Sequence, residues 1–189
     1  MIREIILSDY KRYDIHSIGF SVLIKTFVLM PNPGLKFLTV FRLTQHYRRK
    51  NRLLFYFFFL WLRRLKFNYG LDISYRTKIG KGFYIGHFGG VVIHGDVEIG
   101  DNCNLSQGVT IGILQRGNKI GLPKIGNRVF IGPGAIILGG ITVGDDVLIG
   151  ANAIVTFDVP NFSVVASPLA TIISNKGSKG YINVAEKND

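Results

Sequence analysis

The sequence predicts a parallel β-helix wound from six-residue repeats, preceded by a basic helical segment. Three observations predict the β-helix. Apart from two longer steps, an aliphatic residue returns every six positions, at Ile79, Ile85, Ile93, Ile99, Leu105 and Ile111, then at Ile125, Ile131, Ile137, Val143, Ile149 and Val155. Glycine follows most of these directly, as at Gly80, Gly86, Gly100, Gly112, Gly126, Gly132, Gly144 and Gly150. A second small or β-branched residue stands two positions earlier, as at Val97, Cys103, Val109, Val129, Ala135, Ile141, Val147 and Ala153. A helix repeats its apolar face every 3.6 residues and a strand every two, so neither period explains six. A short strand followed by a tight corner does, with glycine supplying backbone freedom at the corner. Three flat faces close one triangular coil, and stacked coils bury the aliphatic side chains, which is how a solenoid announces itself in sequence.

Three regions follow in order: a helical, basic and aromatic-rich region over 1–70, the β-helix over 71–173, and a polar tail over 174–189 that is expected to fray. At 189 residues, 47% of them hydrophobic and 23 of them glycine, the chain suits a solenoid of about one domain and is too apolar for a disordered one. The net charge of +11 is uneven: residues 1–70 carry 13 Lys/Arg against 3 Asp/Glu, whereas the remainder carries 10 against 9. The single Cys103 falls on an inward-looking beat and reads as a small buried hydrophobe, with no intramolecular disulfide open to it. The start MIREIILSDYKRYD has acidic residues and no apolar run leading to a small-residue cleavage site, so no signal peptide is expected. The expected location is the cytoplasm, with peripheral contact at the inner membrane face.

In the first region, Ser8 or Asp9 is a candidate helix cap, and Met30 to Gly34 (MPNPG) breaks the chain. A second helix is expected from about Leu35 to His46. The apolar block Leu53 to Leu62 (LLFYFFFLWL) then sits between the basic clusters Arg48 to Arg52 and Arg63 to Lys66. Ten apolar residues fall short of the about 20 that a spanning helix needs. Two readings fit residues 48–66: a helix at headgroup level with its cations on anionic lipid, or an aromatic face buried against the coil or another subunit. Nucleic acid is set aside, since no reading motif accompanies the charge and the aromatics form one block.

Solenoids place function where the period breaks, because extra residues leave the coil as loops. The step from Ile85 to Ile93 is eight, which inserts two residues around Gly86-His87-Phe88-Gly89-Gly90. The step from Ile111 to Ile125 is 14, either two hexads plus two or one hexad plus eight, and Ile113 to Pro123 reads as a loop. His87 is the candidate general base, since an imidazole titrates near neutrality and can take a proton from a hydroxyl. A base of this kind works best beside a carboxylate that fixes its tautomer. Asp72, 15 residues upstream against a full turn of about 18, is the candidate carboxylate. His94 is a second, weaker candidate base that reads more readily as a solvated or corner residue, and His16 and His46 carry no motif. No His, Cys and carboxylate set has metal-ligand spacing.

The stretch LDISYRTKIGKGFYIGHFGGVVIHGDVEIGDNCNLSQGVTIG, Leu71 to Gly112, resembles the core of the serine O-acetyltransferase family of hexapeptide acyltransferases. The resemblance runs over about residues 70–173, and Asn32 to Leu43 (NPGLKFLTVFRL) is similar to the helix before that family's coil. It implies a left-handed coil, a homotrimer or a dimer of trimers, and acetyl-CoA as co-substrate in a groove between neighbouring coils. It further implies His87 as general base and Asp72 as its orienting carboxylate. Gly132, Gly150 and Ala151 would line the groove, and Pro168 would sit in the closing segment Val164 to Ile173. A backbone N–H at Gly108 or Gly112 is the candidate oxyanion donor.

Where the chain departs from the family pattern, the acceptor comes into question. The family's aspartate before the histidine is Gly86 here, its glutamate after the valine run falls at Gly95, and its arginine-histidine-proline has become Gly121-Leu122-Pro123. Each buried charge pair lost should cost about 2–5 kcal/mol in holding an amino acid. The closing segment reads Leu169-Ala170-Thr171 where the family has a basic residue. The expected function is therefore acetyl-CoA-dependent O-acetylation of a sugar hydroxyl on a polysaccharide or lipid-linked glycan precursor, in the polysaccharide O-acetyltransferase branch. The alternatives are a serine O-acetyltransferase of cysteine biosynthesis and a non-catalytic hexapeptide-repeat scaffold. The tail lacks the terminal isoleucine through which serine acetyltransferases engage the next enzyme, which counts against the first alternative.

Overall fold

The computed structural model describes residues 2–29, 32–172 and 174, so Met30 and Pro31 of the chain break and nearly all of the polar tail lie outside the described residues. Four α-helices come first: α1 (Ile2–Lys11), α2 (Phe20–Ile24), which continues into a π-helical turn over Lys25–Leu29, α3 (Pro33–Tyr47) and α4 (Arg52–Tyr69). Asn32 caps α3 by accepting from Leu35 N–H, with Pro33 in the first turn, where its missing donor costs nothing. Asn51 caps α4 in the same way, and Gly70 ends it at φ +60°, a left-handed cap that favours glycine.

The β-helix winds coil by coil. The first coil is β1 (Leu71–Ile73), β2 (Lys78–Ile79) and β3 (Tyr84–Ile85); the second is β4 (Val91–Ile93), β5 (Glu98–Ile99) and β6 (Asn104–Leu105). The third is β7 (Thr110–Gly112), β8 (Lys124–Ile125) and β9 (Phe130–Ile131); the fourth is β10 (Ile136–Leu138), β11 (Thr142–Val143) and β12 (Leu148–Ile149). β13 (Ile154–Val155) and β14 (Val164–Val165) close the stack. The pairing between these strands is parallel and gives three faces, β1-β4-β7-β10-β13, β2-β5-β8-β11 and β3-β6-β9-β12-β14. Every beat residue from Ile79 to Val155 is buried in one core, and so is the second set that includes Cys103. Phe37 and Phe41 of α3 join that core with Phe83, closing the open end of the first coil. The helix comes close enough that a Cβ at Gly34 would stand 2.4 Å from Ile85 O, so only glycine fits there.

The register resolves the longer break. Phe130 pairs with Leu148, 18 residues on, whereas Asn104 pairs with Phe130, 26 residues on, so the third coil carries one hexad plus eight. The eight leave as a loop pinned at its neck by paired hydrogen bonds of 3.0 Å between Leu114 and Gly121.

Two local expectations are corrected. Ser8 and Asp9 lie inside α1 and cap nothing; Asp9 is buried and paired with Arg42 of α3 at 2.8 Å, and Ser8 Oγ accepts from Gly82 N–H. Glycines 80, 100, 126 and 144 are needed for close approach of the next coil and not for backbone freedom. None has a positive φ, and a Cβ on each would stand 2.2 to 2.6 Å from the side chain or backbone of the rung above.

Candidate active site

His87 sits on the edge where the third face turns into the first. The insertion Gly86 to Gly90 bulges there, with Gly89 at φ +105° and Gly90 at φ +67°, conformations that glycine adopts without strain. Phe88 packs on Tyr69 at the end of α4, with ring centroids 5.7 Å apart, which ties the bulge to the helix. His87 is exposed and lines a cleft of about 340 Å³ with Tyr84, Asn104, Ser106, Gln107, Phe130 and Pro133. These side chains are neutral, with amide and hydroxyl groups beside aromatic ones. The sequence reading missed them, although an 18-residue turn lengthened first by the two inserted residues and then by the eight could have stacked Asn104 and Phe130 over Tyr84, as the register now does.

Asp72 projects from the first face in β1 and is paired in register with Val92, beyond the bulge. Its carboxylate is held by Lys66 of α4, Nζ to Oδ1 2.6 Å. It lines a different cleft, of about 550 Å³, between α4 and the first face, with Phe59, Leu62, Arg63, Tyr75 and Gly90 among its walls. Gly90 belongs to the bulge that carries His87, so the two clefts flank one edge. Among the described residues no hydrogen bond joins Asp72 to His87. The fold brings the pair to the two sides of one bulge, and Lys66 takes the carboxylate.

The candidate co-substrate residues largely share the His87 edge. Gly108, Gly132, Gly150 and Ala151 occupy the successive turns between the third and first faces. Ser167, next to Pro168, donates from its Oγ to Asn152 O at 2.6 Å, which holds the closing segment against the same edge. The coils stack closely here: a Cβ at Gly90 would meet Gly108 Cα at 3.5 Å, and one at Gly108 would meet Gly134 Cα at 3.5 Å. Gly112 is elsewhere, at the end of β7 where the eight-residue loop leaves. The Gly108 N–H donates to Gly89 O at 2.9 Å, so that amide stitches two coils together and is not free to meet an oxyanion. His94 behaves as a corner residue, with Nδ1 accepting from Asp96 N–H at 3.2 Å.

The departures from the family pattern have structural counterparts. A Cβ at Gly86 would stand 3.1 Å from the Tyr84 ring, and one at Gly95 would stand 3.2 Å from Ser74. Gly121 has φ +131°, and a Cβ there would lie 3.2 Å from Gly140 Cα, so a larger residue would be strained in this loop.

Residues 76–112 and 123–156 match the family described as bacterial transferase hexapeptide (six repeats). A serine acetyltransferase of Helicobacter pylori (strain ATCC 700392 / 26695) is 43% identical over 148 residues, covering 78% of this chain and 85% of that protein. The solved structure of serine acetyltransferase isoform 3 from Entamoeba histolytica, in complex with cysteine, superposes with a TM-score of 0.69 at 30% identity, covering 93% of this chain. This chain spans 62% of that one, which is less than two thirds of its length. A serine acetyltransferase in complex with CoA gives a TM-score of 0.69 at 26% identity, covering 88% of this chain and 67% of that one. All three are serine acetyltransferases, not members of the polysaccharide branch toward which Gly86, Gly95 and Gly121-Leu122 point. With a core of hexapeptide coils and 43% identity across 85% of one such enzyme, the chain belongs to the serine acetyltransferase family of hexapeptide-repeat acyltransferases.

Proposed function

We propose that this chain is an acetyl-CoA-dependent O-acetyltransferase whose acceptor is the hydroxyl of L-serine. The observation that carries the reading is the 43% identity over most of a serine acetyltransferase, which includes the bulge bearing His87. In this reading His87 removes the hydroxyl proton as the acceptor oxygen attacks the thioester carbonyl. The carbonyl re-forms as the C–S bond breaks, and the departing CoA thiolate takes the proton back from the imidazolium. Asp72, released from Lys66 in the acceptor complex, faces and stabilises that imidazolium. The edge at Gly108, Gly132, Gly150 and Ala151 holds the pantetheine arm, and Pro168 lies in the segment that closes over it. Among the described residues no hydroxyl or thiol is hydrogen-bonded to His87 as an activated nucleophile would be, so in this reading transfer is direct. The assembly belonging to this reading is a homotrimer or a dimer of trimers.

A second reading, acetylation of a neutral sugar hydroxyl, is favoured by one specific observation. The cleft around His87 is lined by uncharged side chains, and Gly121-Leu122 supplies no partner for a carboxylate. The deciding experiment measures CoA release from acetyl-CoA with L-serine as sole acceptor. Robust release from wild type, cut at least about 10²-fold in His87→Ala, supports serine transfer. Release no higher than the acceptor-free background, from protein that binds acetyl-CoA, removes serine and leaves the neutral glycan. Undiminished turnover in His87→Ala removes the mechanism itself.

A further inference from the structure

Helix α4 uses its two sides very differently. Inward, Leu62 and Leu65 are buried, Phe58 stacks on Tyr47 with ring centroids 5.5 Å apart, and Phe55 and Phe59 meet the edge of Tyr75. Outward, Leu53 is 83% exposed, Phe57 57%, Leu60 60% and Phe67 77%, with Tyr56 beside them. Their spacing of four, three and seven residues puts them in one stripe along the helix. Arg52 and Arg63 edge the stripe, each guanidinium lying over a ring of its own helix, Tyr56 and Phe67 respectively. Arg64 rises through its middle beside Phe57, Leu60 and Trp61. Arg48, Arg49 and Lys50 extend the charge beyond the helix start.

We infer that this outer face of α4 docks on an anionic lipid surface. The charge pattern selects that occupant over a second copy of the chain. Residues 15–71 contain ten Lys/Arg and no Asp or Glu. Packing two such stripes together would bring six arginines of the paired helices into one interface with no carboxylate on it to neutralise them. A bilayer with anionic headgroups meets both halves of the face: rings and leucines enter the headgroup boundary while the guanidinium groups reach phosphates. The aliphatic stem of Arg64 can lie along Leu60 with its head drawn outward. No helix among the described residues is long and apolar enough to cross a membrane, so the contact lies in the surface plane. The inference is independent of the acceptor: it concerns where the protein sits and not what it acetylates. It does set the cleft between α4 and the first face, the one that holds Asp72, beside the bilayer.

The test is co-sedimentation of the full chain with vesicles of phosphatidylcholine alone and of phosphatidylcholine mixed with phosphatidylglycerol. The full chain should partition onto the anionic vesicles and only weakly onto the neutral ones. Binding should fall about fivefold for each of Arg63→Ser and Arg64→Ser, and should drop sharply in about 1 M salt, where the Debye length is about 3 Å. Phe57→Asp and Leu60→Asp change exposed side chains and should abolish partitioning with the thermal unfolding midpoint unchanged. Failure of the wild type to bind anionic vesicles would overturn the inference. So would a fall in oligomer mass, by sedimentation velocity, in Leu60→Asp or Phe57→Asp, because that result would show a second copy covering the stripe.

Discussion

Lys66 Nζ stands 2.6 Å from Asp72 Oδ1, so the last turn of α4 holds the carboxylate that the chain's spacing assigns to His87. Both side chains are partly exposed, 28% and 68%, which makes the pair worth no more than about 0–1 kcal/mol and easily broken by a bound acceptor. Lys66→Met should therefore fold normally and free Asp72 to face the imidazole. A carboxylate that faces the imidazole orients the ring and stabilises the imidazolium formed in the transition state, so kcat/KM of Lys66→Met should rise above wild type. Asp72→Asn in the same background should cancel that gain. A kcat/KM that stays fixed in both variants would separate Asp72 from the action of His87.

The coil was legible in the sequence because burial there is periodic. Each of Ile79, Ile99, Ile125 and Val143 points into the same shaft, so one rule reads them all. The bulge at His87 was legible for the same reason, as a departure from that rule. The neutral cleft was harder, because Tyr84, Asn104 and Phe130 are outward residues on three coils and meet only once the register is known. The Lys66–Asp72 pair could not be read at all, since it depends on where α4 lies against the first face. The charged cluster at Asp9 was misread for a related reason: a residue that looks like a cap by type became a buried clamp through a partner 33 positions away.

That clamp is Arg42, whose guanidinium binds both oxygens of Asp9 and the carbonyls of Ile79 and Gly80, joining α1 and α3 to the first coil. Asp9 and Arg42 are 1% and 3% exposed. Arg42→Met should cost about 3–5 kcal/mol in urea unfolding, because it strands a buried carboxylate. Burial already pushes the Asp9 carboxyl up, and losing Arg42 removes the opposing charge and hydrogen bond. A group with its folded pKa above the unfolded one loses stabilisation as pH rises through the folded value. The deficit of Arg42→Met should thus be smaller at about pH 5 than at about pH 8. A deficit that does not change with pH would mean that Asp9 stays charged without its partner.

One corner of the helix carries a ladder in which the side chain of each rung accepts from a backbone N–H of the rung below. Asp101 N–H donates to Asn127 Oδ1 at 2.9 Å, Asn127 N–H to Asp145 Oδ1 at 2.7 Å, and Asp145 N–H to Asn161 Oδ1 at 2.8 Å. Gly126 lies against it, and a Cβ there would stand 2.5 Å from Asp145 Oδ1 and 2.6 Å from Gly144 O. Gly126→Ala should therefore lose about 1–3 kcal/mol in chemical denaturation, while Gly19→Ala, with nothing within 4 Å of the new methyl, should be neutral or gain about 0.4–1 kcal/mol. The Asn127 backbone N–H, then its side chain, hold the Asp145 carboxyl below its ordinary 3.8. A carboxyl depressed in the folded state stabilises above the unfolded value, and that contribution disappears as pH falls through the folded one. The coil should lose stability below about pH 4, and Asp145→Asn, which keeps an acceptor oxygen but cannot ionise, should flatten that acid limb. An equally steep limb in Asp145→Asn would place the acid sensitivity elsewhere on the coil.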